Sequence, residues 1–288
     1  MTRALVLGGR GPVALAWESG LIAGFAQGGV DLAAADFILG TSAGAVVGAR
    51  LASGAEGARL AETMLDRAAT PVHPPPRAAP DDQILALLEE AQSGARNPAE
   101  VRRELGALAQ RAVTGSEAEF LELVRRELGD IPLAGWPSAS FACTAVDVED
   151  GGFQLWLAQS GVDLLPAVGA SACVPGTAPP VSLNGRRYMD GGARSPTNAD
   201  LAAGHELVVV IAAVPPGADR AGGLLAEEID SLQSVDATVV AVTLDDGSAA
   251  ACGPDAMDAR RQPDAARAGL AQGLSQAEIL KPLWAGAR

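Results

Sequence analysis

Gly40-Thr41-Ser42-Ala43-Gly44 follows the apolar run Phe37-Ile38-Leu39 and precedes the small-residue stretch Ala45-Val46-Val47-Gly48-Ala49. A strand, a sharp turn and a helix with a serine at the apex is the setting in which G-x-S-x-G carries a mechanism. Gly40 and Gly44 lack Cβ atoms, so strand and helix can approach closely while the turn residue adopts a strained backbone. Ser42 then stands at a helix N-terminus, where unpaired N–H groups and the macrodipole favour developing negative charge. A hydroxyl so placed can attack a carbonyl carbon. The competing reading of the same residues is a serine N-cap in a small-residue turn.

A second glycine cluster lies one strand earlier. Ala4-Leu5-Val6-Leu7 reads as a short strand, Gly8-Gly9-Arg10-Gly11-Pro12 as a loop, and a helix follows with Trp17, Leu21, Ile22 and Phe25 on one face. A glycine-rich strand-to-helix loop presents bare N–H groups to an anion. As a dinucleotide fingerprint it is incomplete, because Ala14 stands where a third glycine belongs. No acidic residue follows a second strand at the spacing that a ribose contact needs. Beside a nucleophile elbow, the N–H groups of Gly9, Arg10 and Gly11 read as an oxyanion hole. A ligand-free βα turn is the plain alternative.

Composition excludes several classes of function. The chain has 288 residues, is 48% hydrophobic and carries a net charge of −14. That charge argues against nucleic acid and against docking on anionic lipid through a broad basic face. Aromatic residues make up 3%, so alanine, leucine and valine must fill the core. Cys143, Cys173 and Cys252 form an odd set without C-x-x-C spacing, expected to be buried reduced thiols of a cytoplasmic protein. The apolar run near the N-terminus is too short for a signal peptide. Prolines 166, 175, 179 and 180 interrupt the longest uncharged stretch, so no membrane span is expected there. No His/Cys/Asp cluster has metal-ligand spacing, and no cofactor is implied.

The first fifty-odd residues read β-α-β-α, which implies parallel strands with crossover helices. The proline-rich segment 70–80 is expected to be extended. Helical stretches follow at Asp81–Ala91, from Asn97-Pro98, and from Ser116 with Glu119 as its capping-box partner. Strands are expected at Ser140–Val146 and Phe153–Leu157, then a helix carrying Leu164, Leu165, Val168 and Ala172. Asn184-Gly185 between Val181–Leu183 and Arg186–Met189 marks a two-residue hairpin. A helix near Pro196–Ala203, a strand at Leu207–Ala212, a helix at Leu224–Leu232, a strand at Thr238–Leu244 and a terminal helix over Ala265–Leu280 complete the reading. We expect one domain over residues 1–288 with a mainly helical insertion at about 71–135, forming a lid, a pocket wall or a cover for the sheet.

A nucleophilic serine needs a base. The only histidines are His73, in the proline-rich segment, and His205, ahead of a strand start. No histidine follows residue 205, as an α/β-hydrolase triad would require. A carboxylate must then serve, and Asp190, leaving the hairpin into Gly191-Gly192, is the best placed. An Asx turn ahead of a glycine would account for the same dipeptide.

Together these stretches resemble the patatin-like phospholipases. The matching motifs are Gly8-Gly9-Arg10-Gly11, Gly40-Thr41-Ser42-Ala43-Gly44, Asp190-Gly191-Gly192 and Ala170-Ser171-Ala172-Cys173-Val174-Pro175, spread over about residues 4–215. The resemblance implies a three-layer α/β/α sandwich around a mostly parallel sheet. It also implies a Ser42–Asp190 dyad without histidine, and a lipid or acyl ester as substrate, met by transient contact with a lipid surface. The chain departs from the family in Arg10 within the glycine run, Val13 at the basic position and Ala14 at the last glycine. A left-handed backbone at Arg10 would cost about 1 kcal/mol or more. A catalytically weak or inactive homologue that binds lipid or acyl ligands is therefore the alternative.

Overall fold

The computed structural model describes residues 1–66, 82–93, 96–138, 140–217 and 223–286. Five parallel strands form the middle and one wing of the sheet: β1 (Arg3–Leu7), β2 (Phe37–Gly40), β3 (Phe141–Asp147), β7 (Leu207–Ala212) and β8 (Thr238–Thr243). Antiparallel strands β4 (Phe153–Trp156), β5 (Val181–Leu183) and β6 (Arg186–Asp190) complete it. The order is β5-β6-β3-β2-β1-β7-β8, with β4 paired to β3. The strands arise where apolar, β-branched runs were read. The Asn184-Gly185 hairpin forms with φ of 50° and 77°, the two positive values of a type I′ turn.

Strand alternation divides the core into two layers. Leu5, Leu7, Val209 and Ile211 face α1 (Gly11–Gln27) and α2 (Ala43–Ala52). Ala4, Val6, Val208 and Val210 face the other way, packing with Leu225 and Leu232 of α8 (Leu224–Gln233). This is a three-layer α/β/α sandwich.

Between α3 (Glu62–Asp66) and β3 lie α4 (Asp82–Ser93), α5 (Pro98–Arg111) and α6 (Glu117–Leu128). Their starts follow the sequence signals. Asn97 caps α5 ahead of Pro98, and Ser116 with Glu119 forms the capping box of α6. The proline-rich segment 70–80 lies outside the described residues. After α7 (Leu164–Ala172) the expected helix over Pro196–Ala203 is only a 3₁₀ turn at Ala199–Ala202. Asn198 is left-handed there (φ 52°), and its side-chain amide donates to the Ser195 carbonyl at 2.7 Å, which offers the backbone an alternative to helix.

Two helical features departed from expectation. Helix α1 is not amphipathic: every residue from Val13 to Phe25 is buried. The terminal helix α10 runs over Gln262–Gly286 and packs along it, with α9 (Asp246–Cys252) between β8 and α10 in sequence. Gly20, Gly24 and Gly28 face α10, whose Gly269 and Gly273 face α1. A Cβ at Gly20 would lie 2.1 Å from the Ala266 carbonyl oxygen, so the backbones touch and any larger residue would force them apart. Buried Gln272 joins the layer to the sheet, accepting from Trp17 Nε1 at 3.1 Å and donating to the Thr243 carbonyl at 2.7 Å.

Candidate active site

Register explains why residues 148 positions apart meet. Strand β3 pairs with β2 at Phe141–Cys143 and with β6 at Ala145–Asp147. Because β4 pairs with Cys143 through Val146, it occupies one edge of β3. Strands β2 and β6 therefore share the other edge and meet head-on. Gly40, at the end of β2, lies opposite Cys143; Asp190, at the end of β6, lies opposite Ala145. Ser42, two residues past Gly40, arrives level with Asp190. Its Oγ donates to Asp190 Oδ2 at 2.6 Å.

The elbow is tight in the way its glycines allow. A Cβ on Gly44 would lie 2.2 Å from the Leu7 carbonyl oxygen, and one on Gly40 would lie 2.4 Å from Ala45 Cα. Ser42 has φ 55° and ψ −116°, outside the usual regions for a residue with a side chain. Such a conformation costs of order 1–3 kcal/mol and persists only where its neighbours hold it. Three bonds do so here. The Ser42 N–H donates to Ser171 Oγ at 3.0 Å, Gly44 N–H donates to the Gly8 carbonyl at 3.0 Å, and Ala45 N–H donates to the Ser42 carbonyl at 3.0 Å. Ser171 belongs to the Ala-Ser stretch noted in the sequence. Its task as acceptor for the elbow is visible only in three dimensions.

Asp190 is 4% exposed. Burial pushes its carboxyl up to about 6, from an ordinary value of 3.8, against the opposite pull of bonds from Ser42 and the Gly192 N–H. The Gly192 N–H reaches Oδ1 at 2.7 Å. Near neutral pH the carboxylate is thus mostly ionised, with one oxygen on a backbone donor and the other on the serine hydroxyl. Such a pair can pass a proton from the hydroxyl to the carboxylate.

The glycine loop differs from expectation at Gly9. Its N–H donates to the Pro196 carbonyl at 2.7 Å, so the single proton of that amide is already engaged. What Gly9 contributes is space: a Cβ there would lie 2.8 Å from Ser42 Cβ. The Arg10 and Gly11 N–H groups have no protein acceptor among the described residues. Arg10 has φ 161°, extended backbone open to any residue, so the anticipated strain is absent. Gly11 is the left-handed position (φ 70°), and a Cβ on it would meet Met257 Sδ at 2.7 Å. The departure from glycine at residue 10 therefore demands no left-handed backbone there.

The turn Ser195–Asn198 ties the parts together and was missed as a site element. Pro196 anchors Gly9, and the Asn198 amide donates to Thr41 Oγ1 at 3.1 Å and to the Gly191 carbonyl at 3.4 Å. Thr41 Oγ1 also lies 3.0 Å from Thr144 Oγ1. Beneath it Glu228, pushed up by burial, accepts from Thr197 Oγ1 and from the Ala199 N–H. An asparagine in a Ser-Pro-Thr-Asn run signals a turn, but nothing local reveals its long-range partners.

His205 stacks on Phe37 at the start of β2, with ring centroids 5.3 Å apart, while Ser42 follows the far end of that strand. His73 lies outside the described residues. The three cysteines are buried and free. A cavity of about 90 Å³ opens at Ser42, lined by Leu15, Val46 and Val174 and by Phe120 and Val124 of α6. Helix α6 thus forms one wall at the serine.

No curated protein matches the chain by sequence. Among solved structures it resembles VipD from Legionella pneumophila, with TM-score 0.49 and 14% identity over 96% of this chain and 67% of that one. It also resembles the type III effector protein ExoU, with TM-score 0.40 and 17% identity over 96% of this chain; it spans about half of that protein, 54%. Residues 5–203 match the family described as patatin-like phospholipase. That match takes in the glycine loop, the elbow, the Ala-Ser stretch and Asp190, and this chain belongs to the patatin-like phospholipase family.

Proposed function

We propose that this chain is a serine acyl hydrolase that cleaves carboxylic ester bonds of lipids through a Ser42–Asp190 dyad. The observation that carries the reading is the 2.6 Å bond from Ser42 Oγ, on its strained elbow, to the buried Asp190 carboxylate. Asp190 Oδ2 accepts the hydroxyl proton as Oγ attacks the ester carbonyl. The oxyanion is received by the N–H groups of Arg10 and Gly11, at the N-terminus of α1, where the helix dipole adds to their pull. The proton passes to the leaving alkoxide, and the acyl group remains on Ser42. Water, deprotonated by Asp190, then releases the acid and restores the serine.

The small apolar cavity at Ser42 supports short acyl chains as the first substrates to try. No helix among the described residues is long and apolar enough to cross a membrane, and we take the contact with lipid to be transient and the protein to be cytoplasmic. One observation favours a second reading, a weakly active lipid-binding homologue: the engaged Gly9 N–H leaves two backbone donors for the oxyanion rather than three. Hydrolysis of p-nitrophenyl butyrate and dihexanoylphosphatidylcholine, by the chain and by Ser42→Ala, tests both. Turnover lost in a folded Ser42→Ala protein is expected. Equal turnover in the two would remove Ser42 from the reaction, and no turnover in either would leave the binding homologue.

A further inference from the structure

A second cavity, larger than the one at Ser42, lies beside it. It measures about 430 Å³ and is lined by Arg10, Val13, Ala213, Leu244, Cys252 and Arg261, among others. These residues follow the carboxyl ends of β1, β7 and β8 or come from α1, α9 and the approach to α10. In an open parallel sheet, ligands bind in the crevice outside the strand ends where the order of connection reverses. That reversal falls between β1 and β7: from β1 the chain proceeds to β2 on one side, whereas β7 and β8 lie on the other. The helices agree, since α1 and α2 cover one face and α8 the opposite one. The cavity opens at this switch point, while Ser42 lies one strand away, after β2.

Its polar equipment is cationic. Arg10 makes one hydrogen bond, from Nη1 to the Ala213 carbonyl at 3.3 Å, and pairs with no carboxylate among the described residues. Arg261 touches the Ala251 carbonyl at 3.3 Å and lies a loose 3.8 Å from Asp258, which is itself held by Arg260 at 2.7 Å. Some other arginines are closely matched, Arg96 with Glu104 at 2.5 Å and Arg194 with Asp200 at 2.6 Å. Both guanidiniums act on the same thiol: burial pushes Cys252 up to about 11 while Arg10 and Arg261 each pull it down. Two cations thus face one apolar-walled space in a chain of net charge −14.

The first turn of α1 separates this space from the reaction centre. Gly11, Pro12 and Gln262 line the Ser42 cavity, whereas Arg10, Val13 and Arg261, their neighbours in sequence, line the larger one. The partition is pinned by the Val13 N–H to the Ala256 carbonyl at 3.3 Å and by Gln262 Nε2 to the Pro12 carbonyl at 3.1 Å.

We propose that the larger cavity is a binding site for a phosphate-type anion, held between Arg10 and Arg261 across the oxyanion loop from Ser42. The anion is either the phosphate of an ester substrate's headgroup or free phosphate. The first source rests on the acyl-hydrolase reading; the site itself does not. Guanidinium groups suit phosphate because they present forked donors and a permanent charge.

The test has a binding arm and a turnover arm. In the full chain carrying Ser42→Ala, calorimetry with sn-glycerol 3-phosphate, inorganic phosphate and glycerol should show binding of the two phosphates only. Arg10→Gln and Arg261→Gln should each weaken it on the order of tenfold, the worth of one charge-assisted hydrogen bond. Arg261→Lys should retain part of the affinity, which covers the case in which the glutamine variant misfolds. Glycerol binding as tightly as its phosphate, or affinity indifferent to both arginines, overturns the site. In the turnover arm, preference for dihexanoylphosphatidate over dihexanoylglycerol should fall about tenfold with Arg261→Gln if the source is a headgroup. If free phosphate is the source, phosphate binds without raising the KM for the phosphatidate. Anion binding without hydrolysis of any ester would leave the site and remove the acyl-hydrolase reading.

Discussion

Replacing Asp190 by Asn should sharply reduce turnover and stabilise the fold at the same time. The carboxyl is 4% exposed, and burial pushes it up to about 6 from an ordinary 3.8. A carboxylate raised in this way contributes stability that is full below about pH 4 and is lost as the pH rises through 6. Above that pH the ionised, buried group costs about 3 kcal/mol relative to a neutral one. Asparagine carries no such charge and preserves the bonds. Its oxygen can accept from the Gly192 N–H, now 2.7 Å from Oδ1, and its amide can donate to Ser42 Oγ at the Oδ2 position. Thermal unfolding at pH 8 should therefore show a Tm gain of roughly 5–10 °C for Asp190→Asn, shrinking to near zero at pH 4. Ester hydrolysis at pH 8 should fall by about 10² or more with loss of the base. A variant less stable than the parent at pH 8, or a difference that ignores pH, would refute the electrostatic account of this residue. A variant with full activity would refute its role.

The remaining predictions use other parts of the molecule. Hydrolysis should rise with pH through a single ionisation near 6, and His205→Ala should leave that profile in place, because His205 stacks on Phe37 at the opposite strand ends; a profile that shifts in this variant would implicate the imidazole. Ser171→Ala removes the acceptor of the Ser42 N–H, leaves it buried and unpaired, and should cost about 1–3 kcal/mol in urea unfolding with kcat reduced more than KM is raised; unchanged kcat would show that the elbow holds itself. Glu18 is buried in α1 with neither oxygen bonded among the described residues, and burial pushes its carboxyl well above the ordinary range. Glu18→Leu should raise stability by about 1–3 kcal/mol at pH 8 and less at pH 4, where the glutamic acid is protonated in both folded and unfolded chains; destabilisation at pH 8 would contradict this.

What the sequence disclosed followed the range of the interactions. The elbow and the Asn184-Gly185 hairpin were legible because short-range backbone rules dictate them, and the hairpin in turn delivers Asp190. The role assigned to Gly9 failed because its N–H is taken by Pro196, a carbonyl far along the chain that no local pattern announces. Whether residue 10, where the family has a glycine, would need a left-handed backbone could not be read locally; the left-handed position is Gly11. Helix α1 was read as one-faced from its large side chains. Its glycines at 20, 24 and 28 were the missed sign that a second helix would pack flush against it. Asn198 was unreadable for the same reason as Ser171, since each acts on residues far along the chain.

The central claim is that Ser42 is a nucleophile activated by Asp190, and covalent labelling tests it most directly. A fluorophosphonate should add one adduct to the intact protein, and peptide mass spectrometry should map it to Ser42. Labelling should vanish in Ser42→Ala and slow by about 10² in Asp190→Asn. A folded protein that takes up no label, or carries it on any other residue, would contradict the account.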